Sequence, residues 1–182
     1  MSDPAIIVID MQNEYWPTGN VPLEGVEAAA ANAARVLDKT RADGGFIVHV
    51  QHLSGDPSMP IFQPGSEGAE INAAVRPAEG EPLVQKYYPN AFRDTGLKQI
   101  LDEKGVKDVV IVGAMSHMCV AATARAAADF GYGVTVLHDA CATREVDFDG
   151  VTVPAAHVHA ANMSALAYAY GAVIPTNDYL AR

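Results

Sequence analysis

The chain has 182 residues, 49% of them hydrophobic and only 19% charged, with a formal net charge of −10. That length and apolar content suit one sizeable α/β domain over residues 1–182 and exclude a disordered chain. The acidic balance lacks the basic footprint that nucleic acid or an anionic membrane surface requires, and reads as a device for solubility.

Strand and helix signals alternate along the chain. Residues 5–10 read as a first strand, an apolar run closed by Asp10. The helix predicted over 25–41 puts Val26, Ala29, Ala30, Ala33, Val36 and Leu37 on one face. Asp43-Gly44-Gly45 stops it, and a second strand follows over 46–51. Residues 53–80 are rich in Pro, Gly, Ser and Glu, a long loop of the kind that serves as a lid, a binding loop or an interface arm. A short third strand covers residues 83–86, and Leu97, Ile100 and Leu101 mark a helix that ends at Gly105. The fourth strand, 107–113, runs to Gly113 and leads into a small-residue helix over 118–130. A fifth strand at 133–138, a helix at 153–170 with Pro154 in its first turn, and a short sixth strand at 172–175 complete the pattern. Such alternation predicts a three-layer, doubly wound, mostly parallel six-stranded sheet with helices on both faces.

Ligands of such sheets bind outside the carboxyl ends of the strands, and three chemically capable residues fall there. Cys119 follows the fourth strand, in the first turn of a helix. The dipole and unpaired N–H groups at that place favour a thiolate, although a buried apolar cysteine fits the same context. Asp10 ends a buried strand and needs a partner: the N–H groups of the next loop, or a thiol for which it acts as base. Lys86 ends the third strand; alone it reads as a solvated charge, and beside the other two as the cation that lowers the thiol pKa and keeps Asp10 ionised. The convergence of all three favours catalysis. The two cysteines have no paired spacing, so neither a disulfide nor a zinc framework is expected. The short apolar run between Asp3 and Asp10 is not expected to be a signal peptide, and no apolar stretch is long enough to span a bilayer. A cytoplasmic location, where Cys119 stays reduced, is the expectation.

The motifs around these residues carry a resemblance. Ile9-Asp10-Met11-Gln12-Asn13, Lys86-Tyr87-Tyr88-Pro89-Asn90-Ala91-Phe92, Gly113-Ala114-Met115-Ser116-His117-Met118-Cys119-Val120 and Asp139-Ala140-Cys141-Ala142 occur in this order. The chain resembles the isochorismatase-like cysteine hydrolases, which include nicotinamidases and N-carbamoylsarcosine amidases. The resemblance implies an Asp10–Lys86–Cys119 triad that hydrolyses an amide through a thioester. It also implies an oxyanion hole from the backbone N–H groups of Met115 and Cys119, a cis Ala114–Met115 bond, and a homodimer or homotetramer in which an Ala-rich helix serves the interface. True isochorismatases cleave an enol ether without the cysteine, so the presence of Cys119 points to the amidase branch.

Nicotinamidases carry a metal-binding Asp-x-His after the second strand, where this chain has His52 and Ser54. Neither metal nor another cofactor is therefore expected. His49 and His52 are three apart on a strand and point to opposite faces; His157 and His159 diverge on a helix; both pairs read as structural. Gln12, Tyr15, Trp16, Phe62, Tyr87, Phe92 and His117 lie near the triad segments. They are the expected walls of an aromatic pocket for a small, largely neutral amide. Arg125 is expected to pair with an acidic side chain. A same-triad hydrolysis of an ester or hydrazide, and a non-catalytic thiol redox or binding module, are the competing readings; Cys141 is the one possible resolving thiol.

Overall fold

Five consecutive apolar residues, Ala5–Ile9, form β1, and all five are buried. A strand covered on both faces belongs in the middle of a parallel sheet. In the computed structural model, which describes residues 4–182, β1 pairs in parallel with β2 (Ile47–His52) on one side and β4 (Asp108–Ala114) on the other. β3 (Leu83–Lys86), β5 (Gly133–Ala142) and β8 (Ala172–Ile174) complete the parallel order β3-β2-β1-β4-β5-β8. Asp3 lies outside the described residues.

Side-chain alternation divides the core. Ile6 and Val8 pack with α1 (Val26–Ala42) and with Tyr179 and Leu180 of α5 (Thr176–Leu180). Ala5, Ile7 and Ile9 pack on the other face with α2 (Leu97–Glu103), α3 (Ala121–Asp129) and α4 (Ala155–Ala169). The three-layer, doubly wound expectation therefore holds, and the predicted apolar stripe of α1 is the buried one. Among the described residues no helix is long and apolar enough to cross a membrane.

The differences lie at strand ends and near the C-terminus. β1 stops at Ile9 because Asp10 turns into the left-handed region, φ 49°. Gly113 does not close β4. At φ 134° it brings the strand so close to β1 that a Cβ there would meet the Ile9 carbonyl oxygen at 2.1 Å. β5 continues past His138 through a register shift opposite Ile111 and Gly113. Asp139, which looks like a strand breaker, is held by Thr176, whose N and Oγ1 donate to Oδ1 at 2.7 and 2.6 Å. The antiparallel hairpin β6 (Val146–Phe148) and β7 (Val151–Val153) was not expected. Its Asp149-Gly150 turn has φ of 49° and 76°, a hairpin signal that the sequence does carry. Pro154 caps α4 from outside its first turn. The predicted 118–130 helix begins instead with a π-helical turn, Ser116–Val120, ahead of α3. Arg125 stacks over the Tyr170 ring, 5.3 Å from its centroid, where an acidic partner was expected.

A polar cluster anchors the segment that delivers β3. Glu81 accepts from Arg41 Nε at 2.8 Å, Arg41 Nη2 at 2.9 Å and Ala78 N at 2.8 Å, and lies 2.9 Å from the Nε2 of buried His49. Burial alone would raise the Glu81 carboxyl, but these donors outweigh it and hold it at about 2, against an ordinary 4.5. Its stabilising contribution is therefore complete above pH 4.5 and lost as pH falls towards 2. Glu81→Gln should cost ~1.5–3 kcal/mol at neutral pH. In thermal melts the gap from wild type should close as pH approaches 2; a gap independent of pH would show that the charge contributes nothing.

Candidate active site

Parallel pairing brings three strand ends to one edge. Ile9 is in register with Gly113, and His52 with Lys86. Asp10 follows β1, Lys86 is the last residue of β3, and Cys119 sits in the π-helical turn beyond β4. Asp10 and Lys86 are 0% exposed and Cys119 only 6%. Lys86 Nζ lies 2.7 Å from Asp10 Oδ2 and 3.3 Å from Cys119 Sγ. The structure thus brings together the three residues that the sequence singled out.

The electrostatics differ from the expectation. Burial pushes the Cys119 thiol far above its usual range, and the charge of Asp10 pushes it further; Lys86 pulls it down but does not prevail. Burial and the Asp10 carboxylate thus oppose the thiolate that the helix terminus and Lys86 favour. Tyr15 is raised as well, first by burial and then by the charges of Asp10, Cys119 and Glu14.

The cavity beside Cys119 has a volume of about 300 Å³. Of the expected pocket residues, Tyr15, Phe62 and Tyr87 line it. Phe62 packs edge-on against Tyr15 and against His52, with centroids 5.2 and 5.3 Å apart. The other four expectations are corrected. The amide of Gln12 is fully engaged: Nε2 donates to the His52 and Ala69 carbonyls at 2.8 and 2.7 Å, and Oε1 accepts from His52 N at 2.8 Å. Trp16 lines a separate cleft with Glu14, Asn20 and Gly68. Phe92 packs into the core against Phe130 and Tyr132. His117 Nδ1 lies 2.6 Å from Thr143 Oγ1, outside the cavity.

His52, read from the sequence as structural, belongs to the site. Its Nδ1 is 3.1 Å from Lys86 Nζ, and its ring lines the cavity. The signal was available: register neighbours in a parallel sheet project on the same face, so the residue opposite Lys86 must stand beside it. Met115, expected for its backbone N–H, also lines the cavity; Ser54, Met59, Ile61, Pro89 and Met118 complete the walls and were not expected there. Buried Glu14 shapes them from behind, accepting from Phe62 N at 3.3 Å and Asn20 N at 2.8 Å. The Ala114–Met115 peptide is cis. His159 Nδ1, 3.2 Å from Ser116 Oγ, braces the π-helical turn from α4. The other histidine pairs keep their structural reading: His49 is paired with Glu81, and His157 lies away from the cavity.

Asp10, His52 and Cys119 place possible ligand atoms within 4.8 Å of one another, the one such cluster among the described residues. Lys86 Nζ stands against all three. A divalent cation there would face the buried ammonium at close range, so these side chains do not fit a metal.

Burial pushes both thiols up, but the Lys86 ammonium stands 3.3 Å from Cys119 Sγ and favours its thiolate, whereas the charge acting on Cys141 is that of Asp139, which disfavours it. Iodoacetamide should therefore alkylate Cys119 first. The rate should climb into the alkaline range without a plateau near neutrality; peptide mapping against pH reads both, and a neutral plateau would mean a standing thiolate.

A family model described as the isochorismatase domain matches residues 4–178. The chain is 44% identical to the uncharacterized isochorismatase family protein YddQ of Bacillus subtilis, over 97% of this chain and 98% of that one. It is 30% identical to the maleamate amidohydrolase of Pseudomonas putida, over 96% of this chain and 84% of that one. The crystal structure of a candidate isochorismatase hydrolase from Oleispira antarctica superposes with a TM-score of 0.94, at 49% identity and 100% coverage of both chains.

Proposed function

The chain belongs to the isochorismatase family and is a hydrolase of carbon–nitrogen bonds other than peptide bonds, and we propose that it cleaves a small, largely neutral amide by covalent cysteine catalysis. One observation carries this reading: the buried Lys86 ammonium stands 2.7 Å from Asp10 and 3.3 Å from Cys119 at the wall of a cavity. A redox or binding thiol needs no such carboxylate.

In the proposed reaction the thiol proton passes to the Asp10 carboxylate as Cys119 Sγ bonds to the substrate carbonyl carbon. Burial sets the resting thiol high, so proton transfer accompanies attack. The backbone N–H groups of Met115 and Cys119 hold the carbonyl oxygen as it becomes anionic. Asp10 returns its proton to the leaving nitrogen, and ammonia or an amine departs from a thioester. Water then attacks the thioester, gives a proton to Asp10, and the acid leaves as Cys119 recovers its proton. Lys86 balances the carboxylate in one state and the sulfur in the other.

Cys119→Ala should abolish turnover with the fold retained, and mass spectrometry of rapidly quenched wild-type protein should show the acyl adduct on Cys119. Near-normal hydrolysis by the alanine variant would remove the nucleophile. Asp10→Asn should lower turnover by ~10²–10⁴-fold. Lys86→Met leaves a buried carboxylate unpaired and should cost ~3–5 kcal/mol of stability. The charge-neutral double variant should regain much of that stability in denaturant titrations but none of the activity; equal instability of single and double variants would refute the coupling.

We also propose a reducing, cytoplasmic setting, which suits two unpaired thiols, and self-association through α4. The exposed side of that helix carries Ala156, Ala160, Ala161, Ala167 and Tyr168 and no formal charge, with Tyr168 92% exposed; Phe148 of the hairpin leading into it is 82% exposed. Light scattering should report a dimer or tetramer that Tyr168→Glu dissociates; a monomeric wild type would rule this out.

A further inference from the structure

His52 has a fixed protonation pattern that follows from its neighbours. An ammonium group has three donors and no acceptor. Lys86 Nζ forms an ion pair with Asp10 Oδ2 and directs donors at Cys119 Sγ and His52 Nδ1. His52 Nδ1 must therefore be the accepting, unprotonated nitrogen, which leaves the hydrogen of the neutral ring on Nε2. Burial, and then the Lys86 charge, hold the ring in the neutral form. Nε2 has no protein partner among the described residues, while the ring lines the cavity. Its direction is held from three sides: Gln12 grips the N–H and C=O of residue 52, Lys86 fixes Nδ1, and Phe62 packs edge-on against the ring.

Few other side-chain donors line the wall. Phe62, Met59, Ile61, Met115 and Met118 carry none, the Ser54 hydroxyl already donates to the Asp56 carbonyl at 3.0 Å, and the hydroxyls of Tyr15 and Tyr87 are the remaining ones among the described residues. Among the described residues no guanidinium or ammonium lines the cavity that would hold a carboxylate. An imidazole nitrogen of His52 lies within 4.8 Å of Cys119 Sγ, so whatever the ring binds lies close to the scissile carbonyl.

We propose that His52 is a substrate-recognising residue, locked as the Nε2–H tautomer by Lys86, that donates to a neutral oxygen on the acyl part of the substrate next to the scissile carbonyl. The substrate class is then an amide with a second uncharged acceptor, such as a hydroxyl or a further carbonyl. This deepens the amidase reading and rests on it.

Two measurements test it. Long-range proton–nitrogen spectra of the histidine-labelled wild type, with His52 assigned by its absence from His52→Asn, should show Nδ1 unprotonated and Nε2 protonated at pH 7. A protonated Nδ1, or an imidazolium, overturns the proposal. The second compares near-isosteric amides that differ in the extra acceptor: lactamide against 2-methylpropanamide, and malonamide against 3-methylbutanamide. Wild type should prefer the first of each pair in kcat/KM. His52→Asn, whose side-chain oxygen can still face Lys86 but which offers no donor at Nε2, should shrink that preference about tenfold or more. No preference in wild type, or an equal preference in the variant, overturns the proposal. Calorimetric binding of the same pairs to Cys119→Ala separates the two readings: a binding preference without any wild-type hydrolysis sinks the amidase reading and leaves His52, whereas hydrolysis without a preference does the reverse. The spectra and the binding pairs need no His52 variant to fold well, apart from the assignment.

Discussion

An ammonium group buried out of reach of the protein surface is the constraint on which the rest of the site depends. Lys86 is 0% exposed, and its charge is tolerable only because three acceptors close around it. Each comes from a different part of the chain: the end of β1, the end of β2 and the turn after β4. The cation therefore specifies a geometry as well as a charge state. A strand slipped by one residue would turn its acceptor to the opposite face and leave the ammonium unpaired. Register in this sheet and chemistry at its edge are thus a single requirement.

The fold meets that requirement through its topology. The chain leaves β1 towards β2 and β3, then crosses to β4 on the far side, so the crevice opens where the winding reverses. Gly113 lets β4 press against the backbone of β1, which shortens the distance from Asp10 to the nucleophile turn. The Glu81 cluster fixes the approach to β3 and so the reach of Lys86. Helix α4, through His159 and Ser116, braces the turn that carries Cys119. Features far from the sulfur determine where it stands.

Much of this was legible in the residues. Apolar runs located the strands, and the polar residues that end them located the site, because a charge at the end of a buried strand is costly unless it has work or a partner. Pocket walls were less legible. Gln12, Phe92 and His117 sit in the right motifs but face other partners, since proximity in sequence does not set side-chain direction. His52 was missed because it was weighed against His49 along one strand rather than against Lys86 across two. The thiolate is favoured by the helix terminus and by Lys86, both legible in the sequence; the depth of burial, which a sequence does not disclose, opposes it. The Asp149-Gly150 turn carries a hairpin signal, but the flanking strands, three residues each, are too short for an alternating pattern to mark them.

The grip of Gln12 on residue 52 has a consequence for how such a site can change. Both contacts are to the peptide group of residue 52 and neither is to its imidazole. The anchorage is indifferent to the side chain it presents. Replacing that side chain would alter what the cavity recognises while the strand end stayed in place, but the Lys86 ammonium would still need an acceptor from position 52. Position 52 is thus a socket in a fixed frame, open to new substrate preferences as long as the replacement keeps an acceptor facing Lys86.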